Sequence, residues 1–346
     1  MNPYAKLLTS TSLLLGTAMT ISSNHWVTAW VGLEINTLAI IPMISKTHHP
    51  RAIEAAIKYF LTQATASALL LLSSTINAWS LGQWDITLMT HPTSCLLLTA
   101  AMAMKLGLVP FHFWYPEVLQ GTPLIIALLL STLMKLPPLT LLLMTSNSLN
   151  PALLTTLAVS SAALGGWMGL NQTQTRKILA FSSISHLGWM TIILLYQPKL
   201  TMLTFYLYAL MTATVFITLN TTKTLNLPTL MTSWTKAPML NTTLTLTLLS
   251  LAGLPPLTGF LPKWLIIQEL TKQELAPTAT IIAMLSLLSL FFYLRLIYSS
   301  AVTTPPNTST HTKQWRTNNP TTPLASALTP PSIALLPLSP MILALT

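Results

Sequence analysis

"LAGLPPLTGFLPKW", residues 251–264, interrupts an apolar stretch that otherwise has the length and composition of a membrane helix. It carries Pro255, Pro256 and Pro262, Gly253 and Gly259, and a charged Lys263. Proline has no N–H to give a helix and costs about 3 kcal/mol in a helix interior. A lysine at the centre of a bilayer costs roughly 2.5–3.5 kcal/mol on the most lenient scale. Both penalties fall in one place, so the segment reads as a helix broken on purpose beside a charge. That reading decides the fold, because breaks of this kind belong to membrane proteins that move ions.

The composition around it agrees. The chain has 346 residues, 52% hydrophobic and only 6% charged, with a mean hydropathy of +0.63. Soluble domains carry about 25% charged residues, so this chain lacks the means to cover a water-facing surface and is an integral membrane protein. Its net charge of +10 is topology information here and not a nucleic-acid signal. The single cysteine, Cys95, excludes a disulfide framework and the ligand set of an iron–sulfur cluster. The start, "MNPYAKLLTSTSLLLGTAMTI", runs into an apolar helix without a small-residue cleavage site and reads as a first span, not a signal peptide.

Windows of about 20 apolar residues predict eleven spans: 3–22, 25–45, 53–78, 93–115, 122–145, 150–170, 174–196, 199–222, 238–270, 275–300 and 323–345. The expected architecture is all-α and polytopic. Residues 1–145 form a first five-helix unit and 146–300 a second. Residues 301–322 form a polar linker, and 323–346 a C-terminal transmembrane helix detached from the rest. The ninth window would reach roughly 50 Å as one helix, so it must break at the opening motif. Eleven of the sixteen basic residues, among them Arg51, Arg176, Lys177 and Arg295, fall on one face, and only Lys199 and Lys272 on the other. This bias puts the N-terminus inside and the C-terminus outside. Lys105, Lys135 and Lys263 fit neither face.

Glu34, Lys105, Lys135 and His186 lie 9 to 13 residues into four different helices, roughly 14–20 Å deep at 1.5 Å per residue. They are level, and so describe a row in the membrane plane. Lys263 lies past its break, where a short second half-helix would bring it nearer an interface. A bland reading competes for each: a snorkelling lysine, a structural ion pair, a hydrogen-bonded core histidine. Together the five favour proton work, because a buried amine changes charge when the field around it changes.

The fourth span holds a second interruption, "MKLGLVPFHFWYPE", residues 104–117, with Gly107 and Pro110 beside Lys105. Both breaks fall on the fourth helix of a five-helix unit, the second carrying Gly253, Pro255 and Pro256. Five is odd, so the units would be inverted, although no residue-level similarity between the halves is evident. "HFWYPE", 112–117, is expected as an interfacial aromatic belt, with His112 extending the row toward the inside face. "LGGWMGLNQTQTRK", 164–177, lacks the preceding strand of a dinucleotide loop, and His48 and His49 lack further metal ligands nearby.

These motifs carry a resemblance. From "MNP" through "GLEINTLAIIP", "AMKLGLVPFHFWYPEV", "SSISHLGWM" and "LSLAGLPPLTGFLPKW", the chain resembles the subunit 2 family of mitochondrial NADH dehydrogenase, respiratory complex I. The resemblance spans essentially the whole chain. It implies an antiporter-like, proton-translocating membrane-arm subunit in the mitochondrial inner membrane, with the inside face as matrix. It implies no redox chemistry in this chain, with FMN, iron–sulfur clusters and ubiquinone used by other subunits. Neighbouring membrane-arm and accessory subunits and lipids such as cardiolipin are the implied partners, protons and water the transported species, and nucleic acid none. Glu34 and Lys105 look like the charged pair of a first half-channel, Lys135 like a connecting lysine, Lys263 like the broken-helix residue of a second, and His186 lies between them. Bacterial relatives carry three more N-terminal helices. A free-standing cation/proton antiporter and a structural spacer whose charges merely pair are the rival functions.

Overall fold

The computed structural model describes residues 3–45, 49–234, 237–301 and 323–340. Among these the chain is predominantly helical, without a β-strand; two isolated bridges join His25 to Asp85 and Gln174 to Asn226. Fifteen α-helices are described: α1 Pro3–Ser22, α2 Trp26–Ile44, α3 Pro50–Leu81, α4 Pro92–Leu106, α5 Trp114–Gly121, α6 Leu124–Ser131, α7 Leu136–Met144, α8 Pro151–Gly169, α9 Thr175–Ile193, α10 Pro198–Thr222, α11 Leu227–Met231, α12 Pro238–Ala252, α13 Phe260–Lys272, α14 Ala276–Ser300 and α15 Pro323–Ala334. Six stretches are long and apolar enough to cross a membrane: α2, α3, Leu124–Met144, α8, α10 and α14. The other expected spans are shorter, less apolar or interrupted.

The helices tolerate their many Ser and Thr residues because most of the helical hydroxyls bond a carbonyl one turn back. Thr17 donates to the Leu14 carbonyl at 2.9 Å, Ser73 to Leu70 at 2.7 Å, Ser183 to Ala180 at 2.7 Å and Thr214 to Met211 at 2.7 Å. Such back-bonding keeps these hydroxyls from being stranded in an apolar medium.

The chain divides into two compact units, Met1–Ser161 with Leu194–Pro198, and Ala162–Ile193 with Lys199–Thr346. In the first, α1 packs along α2, α2 and α4 flank α3, and α5 lies on α3. In the second, α12 and α13 pack against α14, and α13 against α9.

Both expected breaks are present. The fourth window is two helices, α4 and α5, and the ninth is α12 and α13. Each first half ends on a glycine in the left-handed region, Gly107 at φ 75° and Gly253 at φ 82°. A residue with a Cβ is strained there. The next residue closes each end in the same way, Leu108 N–H to the Ala103 carbonyl and Leu254 N–H to Leu249.

Several expectations are corrected. The fifth window, 122–145, is broken as well: α6 ends at Ser131, a 3₁₀ turn covers Leu133–Lys135, and α7 begins at Leu136. Pro137 and Pro138 cause it, because neither donates the N–H that the carbonyls of Leu133 and Met134 would take in a helix. The C-terminal helix is not detached. Pro323–Ala334 packs on α12, and its Ser332 carbonyl accepts from Thr258 Oγ1 at 2.5 Å, within the second break. A 3₁₀ turn, Leu336–Leu338, follows it, so residues 323–340 are not one straight span. The polar linker 301–322, apart from Ala301, lies outside the described residues, as do His48 and 341–346. The "HFWYPE" segment is not an interfacial belt. His112, Trp114, Tyr115 and Pro116 are buried inside the first unit, and only Phe113 and Glu117 are exposed.

Candidate functional site

The first unit encloses a small cavity at its first break. Leu33, Asn36 and Thr37 of α2, Tyr59 and Gln63 of α3, Lys105 at the end of α4, Trp114 and Tyr115 of α5, and Lys135 between α6 and α7 all face it. The space open to the centre of a water molecule is about 20 Å³, room for one water. Lys105 and Lys135 are 5% and 2% exposed. Two lysines that never reach the surface therefore share one small polar chamber.

Each is placed by a backbone irregularity. Lys105 is two residues before the left-handed Gly107, so its helix ends beside the chamber. Lys135 closes the 3₁₀ turn, and its Nζ sits 4.5 Å from the centre of the Tyr115 ring. A cation over an aromatic face is held by the ring's negative quadrupole, by about 2 kcal/mol or more when desolvated. Lys105 Nζ has no hydrogen-bond partner among the described residues, nor has the buried Gln63 Nε2. A buried amine and a buried amide in that condition would each be satisfied by a water in the chamber.

Glu34 on α2 is half-buried and accepts from Thr37 Oγ1 at 3.0 Å. It is within electrostatic range of Lys105 and Tyr59, but no direct ion pair joins it to Lys105. The carboxylate tunes the chamber from one side without closing onto the amine. α2 is held beside α1 by the Asn36 amide, which donates to the Leu13 carbonyl at 2.9 Å when its oxygen and nitrogen are placed to suit both neighbours.

His112 is in the break itself, 2% exposed, its ring 4.3 Å from that of Phe113. Beside it, Trp114 Nε1 donates to the Met104 carbonyl at 3.1 Å. That bond satisfies an oxygen that the break leaves without its helical donor. Tyr59, Gln63, Trp114 and Tyr115 are thus site residues that charge and depth alone do not single out. Trp114 and Tyr115 are signalled by lying immediately beside the charged break in the sequence, whereas Tyr59 and Gln63, on α3, carry no such signal.

In the second unit the broken helix carries its own lysine. Lys263 lies in the first turn of α13 and reaches back across the gap, its Nζ donating to the Ala252 carbonyl, the last residue of α12, at 2.7 Å. It also lies 6.0 Å from the centre of the Trp189 ring and has no ion pair among the described residues. A cation at a helix C-terminus meets the negative end of the helix dipole. Gly259 lets the halves come so close: a Cβ there would run into the Ser250 carbonyl. His186, half-buried on α9, has Nε2 3.4 Å from Tyr293 Oη and its ring 5.3 Å from that of Tyr208.

The two breaks are also one motif. "GLVPFHFWYP", 107–116, and "GLPPLTGFLP", 253–262, share Gly, Leu, Pro and Pro at matched positions, with an aromatic at Trp114 and Phe260; each matched pair is 146 residues apart. The residue-level similarity that the sequence conceals therefore exists, confined to the breaks.

No group of three or more metal-ligating side chains occurs among the described residues.

Comparison with known proteins places this arrangement. Residues 23–289 match the family described as NADH:quinone oxidoreductase/Mrp antiporter, transmembrane, and residues 290–343 match NADH dehydrogenase subunit 2 C-terminus. The chain is 73% identical over 344 residues to NADH-ubiquinone oxidoreductase chain 2 of Struthio camelus, with 99% of each chain covered. It is 75% identical over 343 residues to the protein of that name from Coturnix japonica, again with 99% of each covered. Among solved structures, a chain of respiratory complex I from Thermus thermophilus matches with a TM-score of 0.84 and 27% identity, over 96% of this chain and 77% of that one. A chain of an Mrp complex from a Dietzia species shares the fold, with a TM-score of 0.78 at 16% identity, over 86% of this chain and 60% of that one. The chain belongs to the NADH:quinone oxidoreductase/Mrp antiporter transmembrane family, in its NADH-ubiquinone oxidoreductase chain 2 branch.

Proposed function

We propose that the chain works in the mitochondrial inner membrane as a proton-carrying subunit of the complex I membrane arm, with its N-terminus in the matrix and its C-terminus in the intermembrane space. The redox groups, FMN, iron–sulfur clusters and ubiquinone, are the business of other subunits. This chain's part is to take up, hold and release protons when their redox chemistry changes its conformation or its field. Neighbouring membrane-arm subunits, accessory subunits and lipids, cardiolipin among them, are its proposed partners.

The observation that carries the reading is the shared chamber of Lys105 and Lys135. A proton moves between two amines most easily through a water that both can reach, and the chamber has room for one. Glu34 supplies a field that acts on Lys105, and Tyr115 a surface that holds Lys135 when charged. In the second unit, Lys263 on the freed Ala252 carbonyl is the corresponding loading point. His186 is the group proposed to link the two, and His112 a branch at the first break. Residues 1–145 and 146–300 are taken as inverted five-helix repeats, which the shared break motif supports. A structural spacer would have little use for a buried amine without a partner, because it is costly to keep and supports nothing.

The test is NADH-driven acidification in proteoliposomes that contain the assembled complex with Lys135→Met. Proton uptake should fall while NADH oxidation persists. Full acidification at unchanged oxidation would remove Lys135 from the path.

A further inference from the structure

The Lys105 chamber needs a way to water, and one seam of the first unit is built like an entrance. α5 lies against the first turns of α3 in three layers. Outermost, Lys58 Nζ is bound to Glu117 at 2.6 Å and to Glu54 at 2.5 Å, the two carboxylates at least half in the open and the lysine 40% exposed. One residue further on α3 and three residues back on α5, Tyr59 and Trp114 meet edge to face, ring centres 5.7 Å apart. Innermost is the chamber, of which Tyr59 and Trp114 are themselves walls. At the far end of α5 the contact is tight enough that a Cβ on Gly121 would stand 2.6 Å from the Arg51 carbonyl and from the Ala55 Cβ.

The break motif gives Glu117 a further meaning. It follows Pro116 as Lys263 follows Pro262, and the two are 146 residues apart. In the second unit that position is a lysine bridging its own gap; in the first it is a carboxylate turned to a lysine on the neighbouring helix.

We propose that the Lys58–Glu117 pair is the aqueous entrance of the Lys105 chamber, an ion pair that holds α5 on α3 and whose opening lets water past Tyr59 and Trp114. This rests on the proton-carrying reading only for its purpose; the opening itself is a matter of geometry. Three features support it. The pair is the one ion pair among the described residues that joins the second half of a broken helix to another helix. Its members stand one residue before Tyr59 on α3 and three after Trp114 on α5, and these two rings are walls of the chamber. And Lys58 retains Glu54 as an alternative partner on its own helix, so the Glu117 contact can part without stranding the cation. The other charges at the seam are Glu54, which pairs with Lys58, and Arg51, which acts on Glu54, both on α3.

The experiment introduces Gln63→Cys on the chamber wall in the assembled complex and measures its labelling by a small charged thiol reagent, read peptide by peptide. Lys58→Met and Glu117→Gln should each raise the labelling rate roughly two- to fivefold, the scale that loss of a half-exposed ion pair allows. The exchanged pair Lys58→Glu with Glu117→Lys should bring it back toward the starting rate. Equal labelling in all four overturns the entrance. If the Cys variant fails to assemble, hydrogen exchange of the α5 amides in the single variants replaces it, with faster exchange expected and unchanged exchange contradicting. Accelerated labelling with an unchanged proton-to-electron ratio would keep the entrance and count against the relay, so the two readings fail separately.

Discussion

The side chain of Lys263 fills the space over Gly253: a Cβ on that glycine would stand 2.9 Å from both Nζ and Cδ of the lysine. The glycine is needed twice, once for its φ of 82° and once to leave room for the cation that caps the helix it ends.

Gly253→Ala therefore costs more than Gly107→Ala, although both glycines have positive φ. At Gly107 a Cβ would meet nothing nearer than Tyr115 Cβ at 3.5 Å, so the cost is the backbone's alone, about 1–2 kcal/mol. At Gly253 the alanine must also push Lys263 off the Ala252 carbonyl. Thermal denaturation of the two variant complexes checks the order. Gly253→Ala should melt lower and lose more proton transport, and equal losses would separate Lys263 from its glycine.

Trp114→Phe keeps the ring against Tyr59 and removes the Nε1 donor from the Met104 carbonyl. A lost hydrogen bond at a buried carbonyl costs about 1 kcal/mol. Hydrogen exchange of the last turn of α4 should quicken, with little change at α3. Unchanged protection at α4 would mean that the indole N–H does not hold the break.

Tyr115→Leu removes the aromatic face beneath Lys135 while leaving an apolar filler. Proton transport should fall and its pH profile should move, because the charged form of Lys135 loses its support. Transport with an unaltered profile would show that the ring only fills space.

Thr258→Val takes away the donor to the Ser332 carbonyl and loosens the C-terminal helix from the second break. Amides of 323–334 should exchange faster by roughly fivefold, as expected for about 1 kcal/mol. Equal exchange would show that this bond does not anchor that helix.

Much of this was legible in the amino-acid order, for identifiable reasons. "GLVP" and "AGLPP" announce breaks because Gly and Pro act on the backbone within one or two residues. Lys105 and Lys135 stand out because charge is so costly in an apolar span. The break at Lys135 is equally written, in Pro137 and Pro138, although the apolar window 122–145 is continuous in hydropathy. Tyr115 under Lys135, and Lys263 on the Ala252 carbonyl, depend on how chain segments fold back on themselves, which no local pattern encodes. The docked C-terminal helix failed to show for the same reason, since Thr258 and Ser332 are 74 residues apart.

The proton-to-electron ratio of reconstituted complexes carrying Lys105→Met, Lys135→Met, and both together tests the shared chamber most directly. If both amines serve one path, each single substitution lowers the ratio and the double lowers it no further, since groups acting as a unit fail together. A ratio equal to that of the unsubstituted complex in both single variants, at matched NADH oxidation, contradicts it.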